Sequence, residues 1–201
     1  LLVVGSHGRN AAGRLLLGSV SLGLVHRAPC SVRVTHLPHE IEFHPDRILV
    51  ATDGSEHADA AVHEIASRHW PADTEVTVIA IFDSLVPVVG RYAPTLESST
   101  FATEPAFQVI SEADDHMKMQ LHQAVNKSVE LLRNVGLQAK GRVIDGNPLT
   151  QIVEEANVYR AGTVFIGARG LGALDRLMLG SVSSAVVTHT HCTVEVVRRK
   201  S

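Results

Sequence analysis

The feature that most constrains this chain is a spacing of glycines that occurs twice. Residues 5–19 have the sequence GSHGRNAAGRLLLGS, and residues 167–181 have GARGLGALDRLMLGS. In both, a glycine is followed by two residues, a second glycine, nine residues and then Gly-Ser. Residues 1–36 align with residues 163–198 without a gap, so the chain carries one structural unit twice. Identical positions include Gly5/Gly167, Gly8/Gly170, Arg14/Arg176, Gly18/Gly180, Ser19/Ser181 and Cys30/Cys192.

The repeat predicts the domain organisation. Residues 1–36 correspond to the C-terminal part of a first domain, with a strand, the loop, a helix over 19–27 and a last strand. The chain begins LLVVG without methionine, like the middle of a buried strand, so we expect the rest of that domain to be missing. Residues 37–45 contain two prolines and no helical or strand period, which predicts a linker. Residues 46–201 are predicted to form a complete second domain.

The second copy alternates strand and helix patterns, with a long loop predicted over 83–106. This order predicts an α/β fold: an open, doubly wound, parallel five-stranded sheet, Rossmann-like, with helices on both faces. Its ligand site is then expected beyond the carboxyl ends of the strands. The predicted strands are 47–52, 75–82, 137–144, 163–167 and 193–198, and the predicted helices are 56–69, 107–134, 148–160 and 181–190.

Composition argues against nucleic-acid and membrane partners and favours a reducing compartment. The net charge of −3 supplies no basic field, so nucleic acid is not expected as a partner. No apolar run approaches the roughly 18 residues that a membrane span needs, so no membrane partner is expected. Two cysteines do not make a disulfide framework, which favours a reducing, cytoplasmic setting.

The second glycine stretch has the chemistry of a phosphate cradle. Gly167 and Gly170 follow a strand where the backbone can approach a ligand, and Gly180 precedes the last helix. The unpaired N–H groups of that helix's first turn favour an anion. Asp53, at the end of the first strand of this copy, is expected at the same edge of the sheet. The polar and cationic side chains expected around the phosphates are Arg169, Arg176, Ser181 and Ser183.

These motifs resemble those of the universal stress protein family. The Gly-2x-Gly-9x-Gly-Ser spacing resembles that family's ATP-binding motif, while VATDGSEHADAAV (50–62) and VIDGNP (143–148) resemble its first strand and helix and the start of its third helix. The resemblance implies ATP with Mg²⁺ as the ligand. It implies that adenosine is lined by Ala51, Asp53 and Ile81, and that ribose and phosphates are held by Gly167, Arg169, Gly170, Gly180, Ser181 and Val182, with Arg176 nearby.

The resemblance also implies how the copies associate. Last strands of this family pair antiparallel across an interface, so we expect 31–36 to pair with 193–198, within one chain or between two chains of a homodimer. The glycines at 5, 8 and 18 are expected to bind no complete nucleotide, although a phosphate at Ser19 is left open.

Two classes of function remain. The first is a nucleotide-dependent regulator of stress response with little or no hydrolysis. The second is an ATP-using enzyme, a slow ATPase or an adenylyl transferase. The sequence ATDGS at 51–55 contains neither a His-x-Gly-His nor a Ser-Gly-Gly-x-Asp-Ser signature, and Asp53 is the one carboxylate placed nearby, so the regulator is favoured and no catalytic residue is assigned. His189, His191 and Cys192 have metal-ligand types, but their side chains should diverge, and both cysteines are expected in the core.

Overall fold

The computed structural model describes residues 1–6, 17–36, 43–84, 104–171 and 179–199. Strands and helices alternate through most of these ranges. In chain order the elements are β1 (Leu2–Gly5), α1 (Ser19–Arg27), β2 (Val32–Thr35), β3 (His44–Ala51), α2 (Glu56–Ala66), β4 (Glu75–Phe82), α3 (Glu104–Asn134), β5 (Gln138–Asp145), α4 (Pro148–Val158), β6 (Ala161–Gly167), α5 (Ser181–His189) and β7 (Thr193–Val197).

The strands form one sheet in the order β1-β2-β7-β6-β3-β4-β5. The five strands from β7 to β5 are parallel to one another, which confirms the predicted parallel sheet of the second copy. β2 joins this sheet antiparallel to β7, and β1 lies parallel to β2. The described sheet therefore has seven strands, because β1 and β2 of the first copy extend the five strands of the second.

Helices cover both faces of the sheet, because the parallel strands carry apolar side chains on both faces. Ile48 and Val50 of β3 pack with α2 and α3, whereas Leu49 and Ala51 point to the side of α4 and α5. Such alternation gives each face its own core. The protein is a doubly wound α/β fold, as expected from the order of its elements.

Local signals that the sequence contains mark the starts of α2 and α4 and the end of α3. The Ser55 hydroxyl accepts a hydrogen bond from Ala58 N at 3.2 Å and caps α2. Asn147 Oδ1 accepts from Leu149 N at 3.0 Å, and Pro148 occupies the first turn of α4. Gly136 follows α3 with a φ of +88°, a conformation that glycine adopts without strain.

β3 begins earlier than expected, inside the predicted 37–45 linker. His44 N donates to Arg160 O at 3.0 Å, and the ladder with β6 shifts register between His44 and Ile48. Pro45 lacks only its own N–H, so an irregular strand start tolerates it. The rest of the predicted linker, residues 37–42, lies outside the described residues.

The largest differences between the predicted and the observed helices are in α2 and α3. α2 ends at Ala66, three residues early, and α3 begins at Glu104, inside the predicted 83–106 loop. Met117 of the expected apolar stripe of α3 is 42% exposed, whereas the later stripe positions are buried. Residues 85–103 lie outside the described residues, and none of the described helices is both long and apolar enough to cross a membrane.

The predicted pairing of the two last strands is present within the chain. Val32 faces Val196, Arg33 faces Glu195, and Val34 faces Val194. Arg198 Nη2 donates to two carbonyl groups in the last turn of α1, at 2.9 Å each. A cation is favourable at a helix C-terminus, so this contact supports the seam between the first 36 residues and the second copy.

Candidate functional site

A cavity of about 420 Å³ lies at the carboxyl ends of β3, β4 and β6. This is the edge at which open α/β sheets bind ligands. Arg176 lies outside the described residues. The other predicted site residues line the cavity: Ala51, Asp53, Ile81, Gly167, Arg169, Gly170, Gly180, Ser181 and Val182.

One end of the cavity is apolar. Ile79 and Ile81 of β4 stand two residues apart on the same face of the sheet, and Ile152 of α4 lies opposite. Ala51 is 8% exposed at the end of β3, where its small side chain leaves room beside these residues. Such a surface suits a flat, largely apolar group such as a nucleobase.

Asp53 ties together the loops after β3 and β6. Its Oδ1 accepts from Ser55 N at 3.0 Å, which forms the turn before α2. Its Oδ2 accepts from Leu171 N at 2.9 Å, across the cavity mouth. The carboxylate is thus held in place by two backbone N–H groups at the polar end of the cavity.

The three glycines of the motif differ in what a side chain at each position would contact. A Cβ on Gly167 would lie 2.6 Å from His57 C in α2, and a Cβ on Gly170 would lie 2.5 Å from Asp53 Oδ2. The backbone of α2 leaves no room for a side chain at Gly167, whereas a Cβ at Gly170 would displace the Asp53 carboxylate from its two N–H partners. Gly180 differs, because the nearest atoms to its Cβ position are 3.5 Å away, in ordinary van der Waals contact.

Gly180 is the N-cap of α5 and has no side chain with which to cap it. Gly180 N donates to Ala168 O at 2.8 Å, and this bond fixes the helix start beside the end of β6. The N–H groups of the first turn have no partner one turn earlier in the helix, and Ser181 and Val182 line the cavity. The polar end therefore presents backbone donors and the positive end of a helix dipole.

The Ser183 hydroxyl, which the sequence suggested as a donor to the phosphates, uses its hydrogen within the protein. It donates to Gly167 O at 2.7 Å, and the side chain is buried. The hydroxyl therefore joins α5 to β6. Ser181, which is exposed on the first turn, keeps its hydroxyl free of this bond and remains a candidate contact for a phosphate.

Arg169 places positive charge at the polar end. Its Nε is buried without a hydrogen-bond partner among the described residues. Ala168 N donates to Val197 O at 2.9 Å. Arg169 and Arg198 are the residues that follow these two in the chain, so they lie close together. Burial, and then the Arg169 guanidinium, lower the pKa of His57 at the start of α2.

The cysteine predictions are half right. Cys192 is buried, and burial raises the pKa of its thiol to about 12. Cys30, at the equivalent position of the first copy, is exposed, so its expected place in the core is wrong. Across the described ranges, no group of three or more His, Cys, Asp or Glu side chains is arranged to hold a metal ion, and the His189 ring contacts Ala185 O.

Sequence reasoning missed several residues that line the cavity. Ile79 carried a usable signal, because it precedes Ile81 by one strand period. Pro148 did as well, since it opens a helix directly after a strand. The remaining positions look like ordinary core or loop residues in the sequence. The missed residues are Thr52, Ala58, Ile79, Pro148, Ile152, Ile166 and Leu171.

Fold and site together define the class of protein. It is a doubly wound α/β protein with a cavity at the carboxyl edge of the sheet, apolar at one end and rich in glycine and backbone donors at the other. The model of the universal stress protein family matches residues 1–36 and 45–198. The chain belongs to the universal stress protein family.

Individual relatives agree with this assignment. A universal stress protein of Methanocaldococcus jannaschii is 30% identical over 153 residues, covering 76% of this chain and 82% of the relative. One of Mycobacterium tuberculosis is 31% identical over 205 residues, covering 99% of this chain but 62% of the relative. The solved structure of the universal stress protein UspA from Lactobacillus plantarum aligns with a TM-score of 0.59 at 26% identity, over 76% of this chain and 97% of that chain.

Proposed function

We propose that this chain binds ATP with Mg²⁺ in the cavity at the carboxyl edge of the sheet and acts as a nucleotide-dependent regulator with little or no hydrolysis. The adenosine lies against Ala51 and Ile81, and the phosphates lie at the glycine-rich end. A cytoplasmic setting stays a prediction from the cysteine count.

The observation that carries the proposal is that a Cβ at Gly180 would meet no clash within the protein. Gly167 and Gly170 are explained by close contacts within the protein, but Gly180 has room for a Cβ and an ordinary φ of −63°. The fold therefore does not require glycine at this position. A phosphate that approaches the first-turn N–H groups of α5 would require it, because a side chain would occupy the same space.

Two further features fit the proposal. The cavity volume of about 420 Å³ lies within the range of about 300–1,000 Å³ that small-molecule sites occupy. The buried Arg169 Nε lacks a partner among the described residues, and a phosphate oxygen would supply one.

Asp53 is the residue that fits a magnesium ion at this site. Mg²⁺ in nucleotide sites is usually held by one or two carboxylates together with phosphate oxygens and water. Each Asp53 oxygen accepts one backbone N–H, which leaves a lone pair on each for a further contact. The ion would neutralise phosphate charge, and Asp53 would orient it from the loop after β3.

The same contacts favour a regulator over an enzyme. A general base must reach the proton that it abstracts and must be free to accept it. Asp53 instead holds two loops together, so its geometry suits positioning. The enzyme remains the second candidate, because Asp53 is a carboxylate within the cavity lining.

Binding is tested by calorimetry with ATP and Mg²⁺ on three forms of the chain. Gly180→Val should abolish binding, because the new side chain fills the phosphate position while the backbone conformation stays allowed. Gly18→Val is the matched control, since Gly18 has nearly the same φ of −59° at the start of α1 and lies outside the cavity. Unchanged ATP affinity in Gly180→Val would show that the phosphate site is elsewhere.

Mass analysis of the small molecules released from the purified, denatured protein gives an independent test. Adenine nucleotide at one equivalent per chain supports the proposal. Two equivalents, with one lost in Gly18→Val, would show that the first glycine stretch forms a working site of its own.

Turnover separates the regulator from the enzyme. We expect ATP hydrolysis far slower than the usual enzyme range of about 1–1,000 per second. A rate within that range that is lost in Asp53→Asn, with ATP affinity retained, would establish the enzyme instead.

A further inference from the structure

The seam between β2 and β7 joins two equivalent strands of the repeat. Position 33 of the first copy corresponds to position 195 of the second, and these two residues face each other in the antiparallel ladder. The flanking pairs, Val32 with Val196 and Val34 with Val194, are related by the same exchange. A local two-fold axis therefore passes between residues 33 and 195.

The residues beside this axis have opposite charges, whereas those on either side are identical. Valine occupies the flanking positions of both strands, but Arg33 in one copy is replaced by Glu195 in the other. Because the valines are the same in both strands, they give no preference for pairing with one copy over the other. The charge at the axis does give one.

Glu195 is fully buried and is paired on two sides. Arg33 donates to Glu195 Oε2 from Nε at 2.8 Å and lies 2.7 Å from it through Nη2. Arg68, just beyond the C-terminal end of α2, donates to the same oxygen from Nη1 at 2.9 Å, and its Nη2 contacts Glu195 Oε1. The buried carboxylate is thus satisfied by guanidinium groups from both copies.

Pairing of identical strands would place like charges at this buried position. Two β7 strands in the same register would bring Glu195 against a second Glu195, and two β2 strands would bring Arg33 against a second Arg33. Like charges directly opposite each other destabilise a ladder. In a pair of β7 strands each Glu195 would keep Arg68 of its own copy but would lose Arg33, and the two carboxylates would face each other in a buried place. Such repulsion selects one partner by penalising the other.

We propose that Arg33 and Glu195 form a charge code that decides which strands can pair at this seam. β7 accepts the last strand of the unlike copy, which carries arginine at the axis, and rejects a second β7. The two halves of the repeat are thereby directed to each other, within one chain or by exchange between two chains, and self-pairing through β7 is blocked. This inference is independent of nucleotide binding.

The first test is an exchange of charges in the full chain. All variants carry Arg68→Gln, so that residues 33 and 195 interact without a third charge. Arg33→Glu gives two acids at the axis, Glu195→Arg gives two bases, and the combination of both changes restores opposite charges in reversed order. Lys127→Glu, on the exposed side of α3, is the matched control for a charge reversal away from the seam.

Hydrogen exchange of the β2 and β7 amides provides the measurement. The two like-charge variants should lose protection at the seam by about 100-fold, and the reversed pair should recover most of it. Amides of β3 and β4 should stay protected throughout, which shows that the second copy remains folded. Equal protection in like-charge and opposite-charge variants, or no recovery in the reversed pair, would overturn the code.

The second test mixes the two like-charge variants. A chain with glutamate at both positions and a chain with arginine at both should form a one-to-one heterodimer, because each strand finds its opposite charge only in the other chain. Native mass spectrometry distinguishes this heterodimer from either homodimer. Homodimers that form as readily as the heterodimer, or a mixture that stays monomeric, would overturn the proposal.

Discussion

The segment containing β1, α1 and β2 and the segment containing β6, α5 and β7 share a set of hydrogen bonds but differ in their surroundings. Ser6 N donates to Thr35 O at 2.8 Å, and at the equivalent place Ala168 N donates to Val197 O at 2.9 Å. Gly18 N donates to Ser6 O in the first copy at the same 2.8 Å that separates Gly180 N from Ala168 O in the second. The strand, loop and helix start are therefore built alike in both copies.

What surrounds these shared bonds is different. β6 lies between β3 and β7, whereas β1 is at the edge of the described sheet and pairs with β2. Gly167 consequently lies against the backbone of α2, while Gly5 is exposed. The comparison teaches that the glycine motif determines its own hydrogen bonds, and that the neighbouring β3, β4 and α4 turn it into a cavity.

The largest predicted difference between the copies is the reactivity of the two equivalent cysteines. Burial raises the pKa of Cys192 to about 12, so its thiolate is about a thousandfold scarcer at neutral pH than that of an ordinary thiol. Cys30 is exposed. We expect a thiol reagent to label Cys30 in the native protein and to label Cys192 only after denaturation, as followed by peptide mass spectrometry. Labelling of both at similar rates in the native state would break the comparison.

The next largest effect is expected for alanine at the first glycine of each motif. Gly167→Ala forces a Cβ to within 2.6 Å of the α2 backbone, so it should lower the free energy of unfolding by about 3 kcal/mol. Gly5→Ala should cost less than about 0.5 kcal/mol, because Gly5 is exposed at the edge of the sheet. Urea denaturation measures both. Equal losses would mean that the motif itself, and not its packing, requires glycine.

The regular parts of the fold could be predicted because their patterns are strong. The apolar run in EVTVIAIF indicates β4, and its observed bounds, Glu75–Phe82, agree with the prediction. Ser55 and Asn147 likewise act as the caps that their positions indicate. The start of β3 was missed because Pro45 normally ends a strand, and tertiary pairing with β6 overrides that signal.

The candidate site could be located from the sequence, but the role of each residue could not. The spacing placed Gly167, Gly170 and Gly180 at the right edge of the sheet, yet two of the three are glycine for packing reasons. The hydroxyl of Ser183 looked available for a ligand and is instead used by Gly167 O. Which partner a side chain chooses depends on contacts across the chain, and a spacing pattern carries no information about them.

A smaller difference is expected for the serine that joins helix to strand in each copy. Ser183 Oγ donates to Gly167 O at 2.7 Å, and Ser21 Oγ donates to Gly5 O at 2.6 Å. Ser183→Ala leaves a buried carbonyl without its donor and should cost about 1.5 kcal/mol of unfolding free energy. Ser21→Ala should cost about 0.5 kcal/mol, because water reaches the exposed end of β1. A larger loss of unfolding free energy in Ser21→Ala than in Ser183→Ala would show that water does not replace the lost donor at Gly5 O.

The smallest effect concerns pH and His57, which lies near three arginines of the second copy: Arg169, Arg198 and Arg199. Burial and then Arg169 lower the pKa of His57, with Arg199 and Arg198 acting in the same direction and Glu56 opposing them. The unfolded chain therefore takes up this proton more readily, and folding stability should fall as the pH drops below about 6.5.

His57→Gln removes the titrating group, so the variant should lose less stability than the parent chain when the pH drops from about 7.5 to about 5.5. Solvent screens a half-buried group, so the difference should be about threefold or less in the unfolding equilibrium. His63→Gln, on the exposed side of α2, is the control. If the pH dependence is the same in His57→Gln as in the parent chain, the protonation of His57 does not contribute to folding stability, and the nearby arginines have no measurable effect through it.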